Sequence, residues 1–241
     1  MGRDSIELRS RYGMHTEEFS SLMKHRIIEI LLVASHYDAF ILEEDGQLTE
    51  LVIEEYRNLD LNLRFAPRFT RASSATEALE LLEERDFDMV ITTPRMPDME
   101  IAKLVHLIKE NHTDLPVGLI AAHAWELPWL EDLRAGGELD WTFLWQGNVQ
   151  ALLAMIKQVE DRRNAEHDIL AGGVQAIILV EDEPRFYSVY LPPFYTEITS
   201  QKGRLMSEGV NLSHRLLRIR ARPKILLAQT YEEAWELYER Y

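Results

Sequence analysis

Ile27 to Val33 (IIEILLV) is a short, nearly unbroken apolar run rich in branched residues, the pattern of a strand covered on both faces in a parallel sheet. From Tyr37 to Asn58, the residues Phe40, Ile41, Leu48, Leu51, Val52 and Tyr56 recur near helical spacing, and Glu44-Asp45-Gly46 interrupts them, so a broken helix is predicted. A weaker strand pattern over 68–72 leads into SSATEALELLEER, where Ser74 and Glu77 have capping-box spacing and Ala78, Leu81 and Leu82 line one helical face. Asp88-Met89-Val90-Ile91 predicts a strand, 92–97 a loop, and Asp98 the cap of a helix carrying Ile101, Leu104, Val105 and Ile108. Pro116 to Ala121 predicts a further strand. After a Trp-rich, Gly-Gly-containing connection, Trp141 to Trp145 predicts the last one, and Asn148 caps a helix that buries Val149, Leu152, Leu153, Ile156 and Val159.

Strand and helix thus alternate five times, which predicts the α/β class: right-handed βαβ units in a doubly wound, five-stranded parallel sheet with helices on both faces. Ligands and reactive groups of such a sheet gather at the carboxyl ends of its strands. That edge holds Ala34-Ser35, Thr92-Thr93, Ala121-Ala122 and Gln146-Gly147, with no carboxylate pair, lysine or histidine cluster among them.

Past NAEHDILAGGV the pattern restarts. Ala176 to Val180 (AIILV) repeats the first strand, this time followed by Glu181-Asp182-Glu183-Pro184. KILLAQTYEEAWELYERY then echoes RASSATEALELLEER, with Ala228, Glu233, Ala234, Glu236 and Leu237 where Ala72, Glu77, Ala78, Glu80 and Leu81 stood. This is an internal duplication that runs through strand, helix, strand and helix. The expected organisation is an N-terminal helical extension over 1–26, a first lobe over 27–163, a linker over 164–175, and a partial second copy over 176–241.

Composition narrows the function. The 241 residues are 46% hydrophobic and 28% charged, enough apolar content for a real core, and the absence of cysteine removes disulfides, thiolate metal sites and thiol nucleophiles. No apolar run approaches the roughly 18 residues that span a bilayer, and no secretory leader pattern opens the chain, so a cytoplasmic protein without a membrane partner is expected. With 26 basic and 41 acidic residues the formal charge is -15, which repels phosphate backbones and argues against nucleic acid as a partner. Residues 1–170 carry that whole excess, whereas 171–241 hold nine acids and nine bases.

The segment FDMVITTPRMPDME, with its surrounding strands, resembles two-component response-regulator receiver domains, over most of 27–163 and again at the start of 176–241. The resemblance implies a flavodoxin-like sheet of order 2-1-3-4-5. It places the phosphoacceptor position at Thr93, the acidic pair at Ala34 and Ser35, the hydroxyl position at Ala121, and the lysine position at Gln146, with Gly147 where a proline is usual. Every one departs from the family pattern. Phosphoryl transfer to an aspartate needs carboxylates that hold Mg²⁺, a carboxylate nucleophile and a cation on the phosphate, so the first lobe is expected to bind no cofactor and take no phosphate. In the second copy Glu181 and Asp182 fall on the Mg²⁺-binding pair, a partial site whose remaining members would lie beyond Tyr241. LPPFYTEI, LLRIRARPKILLA and TYEEAWELYERY further resemble the region preceding a pyruvate phosphate dikinase-like, phosphoenolpyruvate/pyruvate-binding part. That likeness implies a linked phosphotransferase, although no nucleotide-cradling motif is present here.

Trp125, Trp129, Trp141 and Trp145 cluster around the fourth and fifth strands, where receivers dock partners or dimerise; core packing accounts for them equally well. Arg215, Arg218, Arg220, Arg222 and Lys224 form a basic run suited to a solvated face or to pairing with the acidic first lobe. His36, His106, His112 and His123 lack metal-ligand spacing. The sequence is thus that of a signalling or interaction module acting through a protein partner or a linked catalytic domain, with a homodimer among the options. A working phosphorelay through a complete second domain, and a regulatory role for an attached phosphotransferase, are its alternatives.

Overall fold

The IIEILLV run becomes β1 (Glu29–Val33), whose last four residues are wholly shielded, as a central parallel strand requires. The computed structural model describes residues 22–43, 48–59, 61, 63–205 and 222–241. After β1 come α1 (His36–Glu43) and α2 (Leu48–Asn58), the two halves of the expected broken helix, with the interruption itself outside the described residues. The first lobe continues with β2 (Arg68–Ala72), α3 (Ala75–Glu84), β3 (Met89–Thr92), α4 (Ile101–Asn111), β4 (Val117–Ala121), a short α5 (Glu131–Ala135), β5 (Trp141–Leu144) and α6 (Gln150–Ala165). Every strand pairing is parallel and the order is β2-β1-β3-β4-β5. Alternate residues of β1 feed two cores: Leu31 and Val33 join α3 and α4 on one face, while Ile30 and Leu32 join α1, α2 and α6 on the other.

Ser74 caps α3, its Oγ accepting from the Glu77 N–H at 3.1 Å. The reciprocal half of the box is shifted by one residue, since Glu77 Oε2 accepts from the Ser73 N–H (2.7 Å) and hydroxyl (2.8 Å). Asp98 corrects the sequence reading. It does not cap α4, whose cap residue is Glu100, with no side-chain bond; the Asp98 carboxylate reaches across to α3 and accepts from the Ala75 and Thr76 N–H groups, both at 2.9 Å. The unpaired N–H groups of the nearer helix start attract the charge.

The second lobe comprises β6 (Ala176–Val180), α7 (Pro184–Leu205), β7 (Lys224–Ala228) and α8 (Tyr231–Arg240), with β6 and β7 forming a two-stranded parallel sheet. It repeats the opening of the first lobe in register. Val33 lies opposite Ala72 and Val180 opposite Ala228; the Ala34 N–H donates to Ala72 O, and the Glu181 N–H to Ala228 O, each at 3.0 Å. Thr230 caps α8 through the Glu233 N–H at 3.1 Å, and Glu233 accepts from Gln229 N–H at 2.8 Å, the counterparts of Ser74, Glu77 and Ser73.

The two sheets share α6. Its apolar residues lie in one cluster with Ile30 and Met89 of the first sheet and Ile225 and Leu227 of the second, so both of its faces are covered. The polar residues buried on it meet partners from both sides. Asp161 forms a bidentate ion pair with Arg222 (2.7 and 2.8 Å) and also accepts from the Tyr195 hydroxyl (2.9 Å) and the Ile225 N–H (3.0 Å). Gln158 donates to Ile225 O (3.1 Å) and accepts from Leu227 N–H (3.3 Å), while Arg162 donates to Leu227 O (3.4 Å). These side chains satisfy the outer backbone edge of β7 as a neighbouring strand would.

Two boundaries differ from the sequence reading. The stretch 164–175 does not behave as a spacer: the helix runs on as a wider turn over Glu166–Ala171, with Asn164, Ala165, Asp168 and Ile169 buried. Of the expected N-terminal helix, residues 1–21 lie outside the described residues, and 22–28 are not helical. They run along α6, where the N–H groups of Met23, His25 and Ile27 donate to Asp168 (3.1 Å), Asn164 (2.9 Å) and Glu160 (3.2 Å). With those donors engaged by side chains, a helical ladder has nothing to gain there.

Candidate functional site

The carboxyl edge of the first sheet is built from the residues that follow β1, β3, β4 and β5. Ala34 and Ala121 are fully buried and present only methyl groups, Thr93 is buried at the mouth, and Gln146 stands exposed. Gly147 has φ +73°, a conformation closed to proline, whose ring fixes φ near -65°. Ser35 and Thr93 do come together, and what joins them is a residue the sequence reading passed over. The Asp38 carboxylate Oδ2 accepts from the Ser35 hydroxyl at 2.9 Å and from the Thr93 hydroxyl at 3.2 Å. The signal was present in Ser35-x-x-Asp38, since Ser35 opens α1 and its Oγ accepts from the Asp38 N–H at 3.1 Å.

That arrangement closes on itself. One carboxylate with two hydroxyl donors has its negative charge partly satisfied, and the edge positions Ala34, Ala121 and Gln146 offer neither a second acid nor a cation. Among the described residues no group of three or more His, Asp or Glu side chains could hold a metal ion. The loop after β3 turns outward instead: Arg95 pairs with the buried Glu126 at 2.5 Å and lies 4.9 Å from the Trp125 ring. Asp98, at the end of that loop, has its carboxyl held below the ordinary range by the Thr76 and Ala75 N–H groups.

In the second lobe Glu181 and Asp182 occupy the positions of Ala34 and Ser35. Glu181 Oε1 accepts from the Glu183 N–H at 3.2 Å, Asp182 is exposed with its carbonyl accepting from Arg134 of α5 at 3.0 Å, and Glu183 pairs with Arg185 at 3.1 Å. The bond from Arg185 lowers the Glu183 pKa. Two acids side by side are half of a hard-cation site, which asks for six or more oxygen ligands.

The four tryptophans divide. Trp141 is buried and Trp145 half-buried in the core shared with α7, so these two are not an external docking face; Trp125 and Trp129 stay exposed at 51% and 70%. The cause is α7, which lies against β5: the Tyr187 hydroxyl donates to Thr142 O, the Ser188 hydroxyl accepts from the Leu144 N–H (2.9 Å), and Phe143 meets Tyr187 edge to face. The chain covers the β5 face of its own first lobe. The basic run also divides. Arg215, Arg218 and Arg220 lie outside the described residues, whereas Arg222 and Lys224 are buried against α6, Lys224 pairing with Asp168 at 2.8 Å. Burial, followed by the Arg222 charge, lowers the Lys224 pKa. His106 pairs with Glu138, whose hydrogen bond raises its pKa, and His123 stacks on Trp125.

No family model matches the chain. It is 29% identical over 102 residues to the response regulator protein PilR of Pseudomonas aeruginosa, a stretch covering 42% of this chain and 22% of that protein, so the chain spans under a quarter of this relative's length. Among solved structures it resembles the signal receiver domain of an HD domain-containing protein from Pseudomonas fluorescens Pf-5, with 25% identity, TM-score 0.45, and coverage of 60% of this chain and 95% of that one. It also resembles a response regulator receiver domain protein from Methanospirillum hungatei JF-1, with 21% identity, TM-score 0.44, and coverage of 58% and 98%. No helix among the described residues is long and apolar enough to cross a membrane. By its strand order and its windings on both faces, the first lobe has the doubly wound, flavodoxin-like fold of receiver domains.

Proposed function

We propose that this chain is a receiver-like signalling module of the two-component type whose first lobe takes no phosphate and works by contact, either with a protein partner or with a linked enzyme that it regulates. The observation that carries this reading is the closed Ser35–Asp38–Thr93 knot, flanked by Ala34, Ala121 and Gln146. Phosphoryl transfer is mostly positioning and charge stabilisation, and the positions where the resemblance puts an acid and a lysine hold Ala34 and Gln146 here. A lobe in that condition holds a single conformation, without the loop ordering that phosphate drives in switching proteins.

The test incubates the full chain with Mg²⁺ and acetyl phosphate and measures intact mass. No phosphate adduct is expected; an adduct mapped to Thr93 would overturn the proposal. A second reading, in which the second lobe contributes Glu181 and Asp182 to a Mg²⁺ site, is supported by their register with Ala34 and Ser35. Calorimetric titration with Mg²⁺ checks it: heat that disappears in Glu181→Gln favours the reading, and no heat removes it.

A further inference from the structure

The segment ahead of β1 holds the one non-glycine residue, among those described, with a left-handed backbone. Met23 has φ +55°, a conformation that a side-chain-bearing residue keeps only where its surroundings dictate it. Those surroundings are specific. The Met23 N–H donates to both Asp168 oxygens (3.2 and 3.1 Å), and its Sδ accepts from the Lys224 ammonium at 2.7 Å. Leu22, 2% exposed, fills the space over Gly172, where a Cβ would come within 2.5 Å of its Cδ2. Asn164 holds both the N–H (2.9 Å) and the carbonyl (2.7 Å) of His25. Beyond His25 the chain is fixed: Arg26 lies over the Phe65 ring, 4.1 Å from its centroid, and Ile27 is wholly buried in the core.

Asp168 is where this segment meets the second lobe. Besides Met23 it binds Lys224 at 2.8 Å, and it lies 3.0 Å from His167 Nδ1. Lys224 opens β7, and its ammonium is also 4.0 Å from Asp161, the partner of Arg222. Asp161, Asp168 and Lys224 are all at 0% exposure. Buried ion pairs are poor sources of stability, since apolar residues of similar volume often serve as well or better, yet disturbing one side of such a pair is costly. Their use is to mark one arrangement, which suits a switch. The disturbance at hand here is water: Met23 covers the Asp168–Lys224 pair, and a pair opened to solvent loses most of its attraction.

We propose that residues 22–25 are a releasable strap that controls how tightly the second lobe is held. Docked, the strap keeps the Asp168–Lys224 pair dry and β7 fixed beside α6. Lifted, it relieves the Met23 backbone, admits water to the pair and loosens β7. The first sheet stays folded meanwhile, because the cluster beneath α3 and α4 contains no residue of the strap or of the second lobe. A contact module whose first lobe keeps a single conformation thereby has a part that moves, whether or not that lobe takes phosphate.

Amide hydrogen exchange of the full chain, resolved residue by residue, tests this. Met23→Pro forbids a positive φ and removes the N–H that Asp168 accepts, so the Ile225–Ala228 amides should exchange at least about tenfold faster while those of Met89–Thr92 in β3 keep their rate. Lys224→Met should act in the opposite direction and speed exchange of the Met23 and His25 amides, since coupling between two sites is reciprocal. Asp88→Ala is the control: it frees the Ile28 and Glu29 N–H groups, past the fixed end of the strap, and should leave β7 as it is. Should Met23→Pro not fold, Leu22→Gly, which vacates the space over Gly172, takes its place with the same expected result. The proposal is overturned by β7 amides that keep the parent rate, by a rise that β3 shares equally, by a strap indifferent to Lys224→Met, or by an Asp88→Ala chain with a loosened β7.

Discussion

Replacing Asp161 with asparagine tests whether the two lobes are one folding unit. The carboxylate is completely buried and accepts four hydrogen bonds, two from Arg222, one from Tyr195 and one from the Ile225 N–H. Burial alone would favour a neutral guanidine, but Asp161 beside it raises the Arg222 pKa and keeps the charge in place. The amide side chain would keep the shape and lose the counterion, leaving a buried cation opposite an amide N–H. Breaking a buried pair on one side costs about 3–5 kcal/mol. At roughly 2–4 °C per kcal/mol for a chain of this size, the unfolding midpoint should fall by on the order of 10 °C. Adding Arg222→Met removes the stranded charge, so the double variant should lose less than Asp161→Asn alone, with a coupling of at least about 2 kcal/mol in the cycle. Because one apolar cluster joins both sheets through α6, circular dichroism and tryptophan fluorescence should report a single coincident transition. A midpoint shift under about 2 °C, additive single and double effects, or two separate transitions would refute the reasoning.

Two further outcomes follow from the packing. Asp98→Ala should cost about 1 kcal/mol in urea unfolding, the usual worth of a helix cap. Its folded pKa lies below its ordinary value, so that contribution is full above about pH 3.9. The gap between parent and variant should close as pH falls through the lowered folded pKa; a gap that widens in acid would contradict it. Gly172→Ala should destabilise by about 1–3 kcal/mol, because a Cβ there would sit 2.7 Å from the Asp168 carbonyl oxygen, which is backbone and cannot yield. Gly118→Ala should cost less, since its Cβ would meet Met155 Sδ and Met89 Cε, the ends of flexible side chains. Thermal melts that reverse this ranking would show that the methionines cannot give way.

The alternation of short apolar runs with 3.6-period segments was enough to read a five-stranded, doubly wound parallel sheet, because central parallel strands such as β1 and β3 must be apolar on both faces; the order 2-1-3-4-5 was implied by the receiver resemblance of FDMVITTPRMPDME and is the order found. The repeat was equally legible, and it predicted the register of Glu181 on Ala34 through shared positions in two separate strands. What escaped was contact over long sequence distances. Asp98 looked like a cap for the helix just after it, and only the fold brings the start of α3 closer. For Arg222 and Lys224 the sequence left open a solvated face or pairing with the acidic first lobe; the second holds, but nothing local announces that the acids are Asp161 and Asp168, more than fifty residues away and buried. Asp38 was missed because its partner Thr93 arrives from another strand. Trp141 and Trp145 offered no way to distinguish a core from a docking face until α7 was seen lying on β5.

A helix belonging to two sheets at once also governs how this polypeptide can be divided. Cutting after residue 163 would strip β5 of α7 and leave Asp161, a carboxylate at 0% exposure, without its guanidinium. The receiver-like lobe is therefore not a cassette that recombination can lift out intact. Any gene rearrangement that preserves it must carry the second lobe along, and a shortened clone ending at that seam should be purified with its exposed core already prone to aggregate.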